Sequence, residues 1–88
     1  MQWCVYILSC NDGTLYTGMT NDLESRLITH NKGLGAKYTR SRLPVTLVRS
    51  FPCTSKSEAL KTEATIKKLS RKKKLLLIEQ SGTASHKE

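Results

Sequence analysis

The sequence predicts a small α+β domain of three strands and about three helices, and three features lead there. Two β-rich runs flank an Asn-Asp-Gly turn at 11–13, a third lies between Pro44 and Pro52, and two later segments pair helix caps with helical periodicity. At 88 residues the chain is expected to be one domain, because a chain this short buries only about 60% of its unfolded surface. That domain is expected over residues 2–80. From Ser81 the sequence offers no apolar anchor, so 81–88 is expected to be a flexible tail.

Residues Trp3 to Cys10 carry Val5, Tyr6, Ile7 and Leu8, and the pattern resumes after the turn with Leu15, Tyr16 and Thr17. With a three-residue loop whose last member, Gly13, is left-handed, Cys10 faces Thr14 and Tyr6 faces Gly18. Tyr16 then sits diagonally from Tyr6 on the same face, about 7 to 8 Å away, so that two phenols could converge on one ligand. A two-residue Asp12-Gly13 turn would slip the register by one and send the tyrosines to opposite faces.

The first helix is expected from an Asn21 N-cap, with Glu24 as its capping-box partner and Gly33 as its stop. Its apolar positions are Leu23, Leu27 and Ile28. Arg26 and His30, four apart, share the face beside that stripe and can point back to the hairpin. Gly33 to Leu43 reads as a basic loop with Lys37, Tyr38, Arg40 and Arg42, and Val45 to Phe51 as the third strand. Ser55 and Glu58 open a second helix with Ala59, Leu60, Ala64 and Ile66, running to about Leu69. Ser70 caps a last short helix from Arg71 to about Glu79.

Lysine and arginine number 15 against 7 acids, a net charge of +8, and six of the eight residues from Lys67 to Lys74 are basic. Such an excess attracts polyanions, so Lys72, Lys73 and Lys74 are candidates for nucleic-acid contact, as are Lys37, Tyr38, Arg40 and Arg42. A solvated basic helix is the plainer alternative. Three cysteines without a C-x-x-C pair indicate neither a disulfide framework nor zinc. No apolar run is long enough to span a bilayer, and no leader pattern opens the chain, so the protein is expected in the cytoplasm.

Glu63 lies on or beside the core-facing stripe of the second helix, where carboxylates seldom stand without a partner. That partner is either Lys67, four residues on, or a metal ion. Mg²⁺ or Mn²⁺ would suit, since one carboxylate plus waters and substrate phosphate oxygens is enough for either. Arg26 would hold a phosphate, and His30 would relay a proton or bind a phosphate oxygen. Tyr6, with an ordinary pKa near 10, would act as a base only beside the metal or His30. Taken singly, each of these residues also fits an ordinary structural place.

Together, Cys4-Val5-Tyr6, Tyr16-Thr17-Gly18, Arg26, His30 and Glu63 resemble the GIY-YIG nuclease superfamily, over nearly the whole chain. Length and basic character look most like its small stand-alone bacterial members. The resemblance implies a three-stranded antiparallel sheet flanked by helices, and hydrolysis of a phosphodiester with one divalent ion, Mg²⁺ or Mn²⁺. It makes Tyr6 the general base, Tyr16 the residue orienting nucleophile or phosphate, and Arg26 the stabiliser of developing charge. Glu63 becomes the metal ligand and His30 the support for proton transfer. Cys4 replaces the first motif's glycine, Met19 stands where some members are basic, and no asparagine follows Asn31. With no separate recognition module, cutting is expected to be structure-directed or partner-dependent, on DNA in preference to RNA. The alternative is a basic nucleic-acid-binding module without turnover.

Overall fold

In the computed structural model, which describes residues 2–87 and side chains as far as Glu79, the strand Cys4–Ser9 (β1) forms the middle of a three-stranded sheet. Leu15–Thr20 (β2) and Thr46–Pro52 (β3) pair with it on either side, both antiparallel. Being central, β1 buries both faces, and Val5, Tyr6, Ile7 and Leu8 are all inaccessible to solvent. Period-2 alternation sends Val5 and Ile7 one way, Tyr6 and Leu8 the other.

The hairpin has the three-residue loop. The Cys10 amide donates to Thr14 O at 2.8 Å and the Gly13 amide to Cys10 O at 2.9 Å, while Gly13 sits at φ +84°. That conformation strains any residue with a Cβ, so glycine is what fixes the loop length. Tyr6 accordingly faces Gly18. Asp12 braces the turn by accepting from both the Thr14 amide and the Thr14 hydroxyl.

After β2 comes Leu23–Asn31 (α1), whose N-cap is Asp22 rather than the expected Asn21. Asp22 Oδ1 accepts from the Ser25 amide at 3.3 Å, while Thr20 Oγ1 holds the Asp22 amide, so the chain turns one residue later. Gly33 ends the helix at φ +79°, its amide donating to His30 O. Of the expected stripe, Ile28 is exposed and Leu23 and Leu27 face the sheet.

The segment expected to be a basic loop contains one helical turn, Lys37–Arg40 (α2), which has no side-chain cap. β3 begins and ends one residue later than expected. Pro52 pairs with Cys4 at the strand's end, a place an outer strand can give to a residue without an amide donor.

Lys56–Lys67 (α3) is capped by Ser55 as expected, while the Glu58 carboxylate reaches back to the Thr54 amide and hydroxyl. Its buried line is Ala59 and Ile66, with Leu60 51% exposed and Ala64 also outside. Glu63, four after Ala59 and three before Ile66, is on that line. Ser70 caps Arg71–Lys87 (α4) through the Lys73 amide. This helix continues past Glu79, where a stop was expected. No proline stands beyond Pro52 to break it, and a glycine such as Gly82 costs a helix only about 1 kcal/mol. Cys4, Cys10 and Cys53 are free thiols, the last two buried. No described helix is long and apolar enough to cross a membrane.

Candidate active site

Tyr6 stands at the centre of the sheet with its ring on the α1 face. Its phenol oxygen accepts from Arg26 Nε at 3.3 Å and lies 3.0 Å from His30 Nε2. Spacing on α1 makes this possible, since residues four apart are stacked on one side of the helix. His30 is fully buried.

The other imidazole nitrogen, Nδ1, is 2.9 Å from Thr39 Oγ1, whose own proton goes to Ala36 O at 3.2 Å. A hydroxyl has one hydrogen, so with it committed to Ala36 the bond to His30 must be donated by Nδ1–H. Nε2 is then bare, and the Tyr6 hydroxyl donates to it. The chain of bonds therefore has one direction: Tyr6 to His30 to Thr39 to the backbone. Thr39 was not legible in the sequence, because no periodicity links it to His30, nine positions earlier and on a different helix.

Burial pushes the His30 pKa down from its usual 6.5, and the Arg26 charge pushes the same way, so the ring is neutral. Burial pushes the Tyr6 phenol up, against the hydrogen bond and charge of Arg26, with the charges of Tyr16 and Glu63 adding to the rise. Arg26 is raised above its usual value, chiefly by the same hydrogen bond. At neutral pH the site is a protonated phenol, a neutral imidazole and a guanidinium.

Tyr16 lies diagonally from Tyr6, with ring centroids 6.4 Å apart, and 5.3 Å from the His30 ring. Gly18 provides the room: a Cβ there would stand 2.5 Å from the Tyr6 hydroxyl and 3.1 Å from Tyr16 Cε2. Gly35 does the same for His30, since a Cβ would enter the imidazole ring, and its carbonyl accepts from Arg26 Nη2 at 2.9 Å. Gly35 is a second residue that sequence reading passed over.

Glu63 faces the sheet with its side chain 19% exposed, close enough for its charge to act on Tyr6. Lys67 Nζ lies 3.4 Å from its Oε2, so the expected i, i+4 pair is present as well. Among the described residues no three His, Cys, Asp or Glu side chains cluster as a metal cage. One carboxylate beside phenol oxygens instead suits a hard cation that keeps most of its waters.

The remaining basic candidates disperse. Lys37 and Arg40 are exposed on α2, and Lys72 and Lys73 are exposed on α4, while Lys74 is half-buried. Arg42 is engaged within the fold, donating to Asp12 at 2.9 Å and to Tyr38 O at 2.6 Å, with its guanidinium 4.0 Å above the Tyr38 ring. Tyr38 also stacks on Tyr16, centroids 5.9 Å apart, and remains 39% exposed.

A profile of the GIY-YIG catalytic domain matches residues 2–75. The chain belongs to the GIY-YIG family. Within it, the UPF0213 protein SAG0778 of Streptococcus agalactiae is 55% identical over 76 residues, covering 86% of each chain. The UPF0213 protein SSP2268 of Staphylococcus saprophyticus is also 55% identical over 76 residues, 86% of this chain and 93% of that one. The solution structure of the UPF0213 protein BH0048 from Bacillus halodurans superposes with a TM-score of 0.61 at 48% identity, over 93% of this chain and 87% of that one. This GIY-YIG domain therefore shares its fold with small single-domain bacterial relatives, and family membership supports a nuclease-type function that involves nucleic acid.

Proposed function

We propose that this GIY-YIG protein is a cytoplasmic, divalent-metal-dependent endonuclease that hydrolyses phosphodiester bonds in DNA, selecting structure rather than sequence. The observation that carries the reading is the one-way hydrogen-bond chain from Tyr6 through His30, with Arg26 on the same phenol oxygen. A protonated phenol is no base by itself. Here it passes its proton to the bare Nε2 as it takes one from the attacking water. The water oxygen bonds to phosphorus, the bond to the leaving sugar oxygen breaks, and that oxygen takes a proton from solvent. Return of the proton from His30 to Tyr6, and from Tyr6 to water, resets the site.

Arg26 neutralises charge growing on the phosphoryl oxygens, and Tyr16 orients the phosphate. Glu63 would hold one Mg²⁺ or Mn²⁺, which when bound supplies Lewis-acid stabilisation of the same charge. Incubating the protein with each ion and with nicked, branched, single-stranded and duplex DNA, and with RNA, tests the reading. Equal cleavage by wild type and by Glu63→Ala or Arg26→Ala would sink it, since a contaminant would then explain the activity.

The Glu63–Lys67 ion pair favours a second reading, a nucleic-acid-binding module without turnover, because it occupies the one carboxylate the metal needs. That reading expects binding that weakens steeply with salt and with charge removal at Lys72 to Lys74, and no effect of Glu63→Ala.

A further inference from the structure

At the outer edge of β2 lies a groove of about 240 Å³, lined by Leu15, Tyr16, Thr17, Tyr38, Lys67 and Lys74. Three unlike chemistries meet in it. One wall is aromatic, the Tyr16–Tyr38 stack, held in place by Arg42 over Tyr38. Two ammonium groups come from α3 and α4, and of the lysines at 72–74 it is the half-buried Lys74 that lines the groove. Thr17 supplies the third: it is 3% exposed, and its hydroxyl has no hydrogen-bond partner among the described residues. Buried hydroxyls are nearly always partnered, so an orphan at a groove wall points to a polar group that arrives from outside.

The groove adjoins the site described above, because Tyr16 belongs to both and Lys67 is the partner of Glu63. We propose that it receives a single unpaired nucleotide of the strand being cut. The base lies along the Tyr16–Tyr38 wall, a polar atom of the nucleotide satisfies Thr17 Oγ1, and the phosphate sits between Lys67 and Lys74. At about 240 Å³ it is smaller than the roughly 300 to 1,000 Å³ of pockets for drug-sized ligands, a size that suits a single nucleotide. This rests on the nuclease reading and deepens it: the structure being selected is a nucleotide free to leave its stack.

Titrating thymidine 5′-monophosphate into ¹⁵N-labelled protein without metal tests the groove apart from catalysis. Saturable shifts are expected at Tyr16, Thr17, Tyr38, Lys67 and Lys74. Thr17→Val and Lys74→Ala should each weaken binding about fivefold or more, as loss of one hydrogen bond or charge contact does, while Lys68→Ala, an exposed charge-matched control, should not. Thr17→Val should also melt no lower than wild type, so that weaker binding is not a folding defect. Unchanged affinity in both groove variants would overturn the proposal, as would shifts reproduced by inorganic phosphate and confined to lysines. Cleavage of DNA by protein that binds no nucleotide would overturn the groove and keep the nuclease. Saturable binding without any cleavage would do the reverse.

Discussion

The two faces of β1 are equally buried and chemically opposite. On one side Val5 and Ile7 pack against Cys53, Ala59 and Ile66, ringed by Leu15, Met19, Val48 and Phe51. On the other, Tyr6 and Leu8 share their cluster with Cys10, Val45 and Tyr16, and Tyr6 reaches the buried polar pair His30 and Thr39. The apolar face holds the domain together by excluded water, and any well-fitting hydrocarbon would serve there. The polar face works only if every donor finds its acceptor, because a buried polar group left unpaired is penalised in full. One strand thus separates the apolar packing from the hydrogen-bonded chain at Tyr6, with Glu63 reaching the site from α3, the helix that covers the apolar face.

Emptying the apolar face should have the largest effect on stability. Ile7→Ala leaves a cavity under α3 and is expected to destabilise by about 2 to 5 kcal/mol, measured by urea denaturation. In whatever fraction stays folded, cleavage per folded molecule should hold, since Ile7 and Tyr6 belong to different clusters on opposite faces of β1. Loss of turnover beyond loss of fold would show that the two faces are coupled.

Thr39→Val addresses the other face at nearly constant shape. It strands the His30 Nδ1–H in a dry environment, at a cost of about 1 to 3 kcal/mol, and frees the ring to take the wrong tautomer. Cleavage should fall further than stability explains. Thr39→Ser, which keeps the hydroxyl, should restore most of it. If Val and Ser behave alike, the Thr39 hydroxyl has no positioning role.

Gly18→Ala adds one methyl where the Tyr6 hydroxyl and ring already stand. The Tyr6 ring is buried and cannot swing away freely, so about 1 to 3 kcal/mol of overpacking is expected, together with a broken contact to His30 or Arg26. Gly13→Ala meets no neighbouring atom and is strained only by its φ. It should lower stability modestly while leaving the geometry around Tyr6 intact, as ¹⁵N spectra would report.

The sequence made much of this legible because the decisive constraints were local. Gly13 fixed the loop length, the loop fixed the register, and the register set Tyr6 against Gly18 with Tyr16 on the same face. Spacing of four on α1 paired Arg26 with His30, and spacing around Ala59 and Ile66 turned Glu63 inward. What escaped was made by the loop after α1. A single turn such as α2 is too short for periodicity, and nothing in the order of residues says that Thr39 will cap the imidazole or that the Gly35 carbonyl will hold Arg26. Asp22 won the N-cap from Asn21 because Thr20 fixed its amide, a contact visible only in three dimensions.

The smallest effect expected is one of pH, and it too separates the faces. The folded protein holds His30 neutral below its usual pKa of 6.5, whereas the unfolded chain takes up a proton near that value. Where the unfolded state binds more protons, stability rises with pH. Stability is therefore fully present above about pH 6.5 and is lost as pH falls from there toward the folded pKa, by at most about 1.4 kcal/mol per unit for one proton. Urea midpoints at pH 7.5 and 5.5 should show the decline in wild type and a smaller one in His30→Gln, each read as a difference within the same protein. Ile7→Val, on the face of β1 away from His30, should lower both midpoints together and leave the difference unchanged. An equal slope in His30→Gln would mean that the acid sensitivity originates elsewhere, and that His30 is not the buried neutral acceptor its hydrogen bonds require.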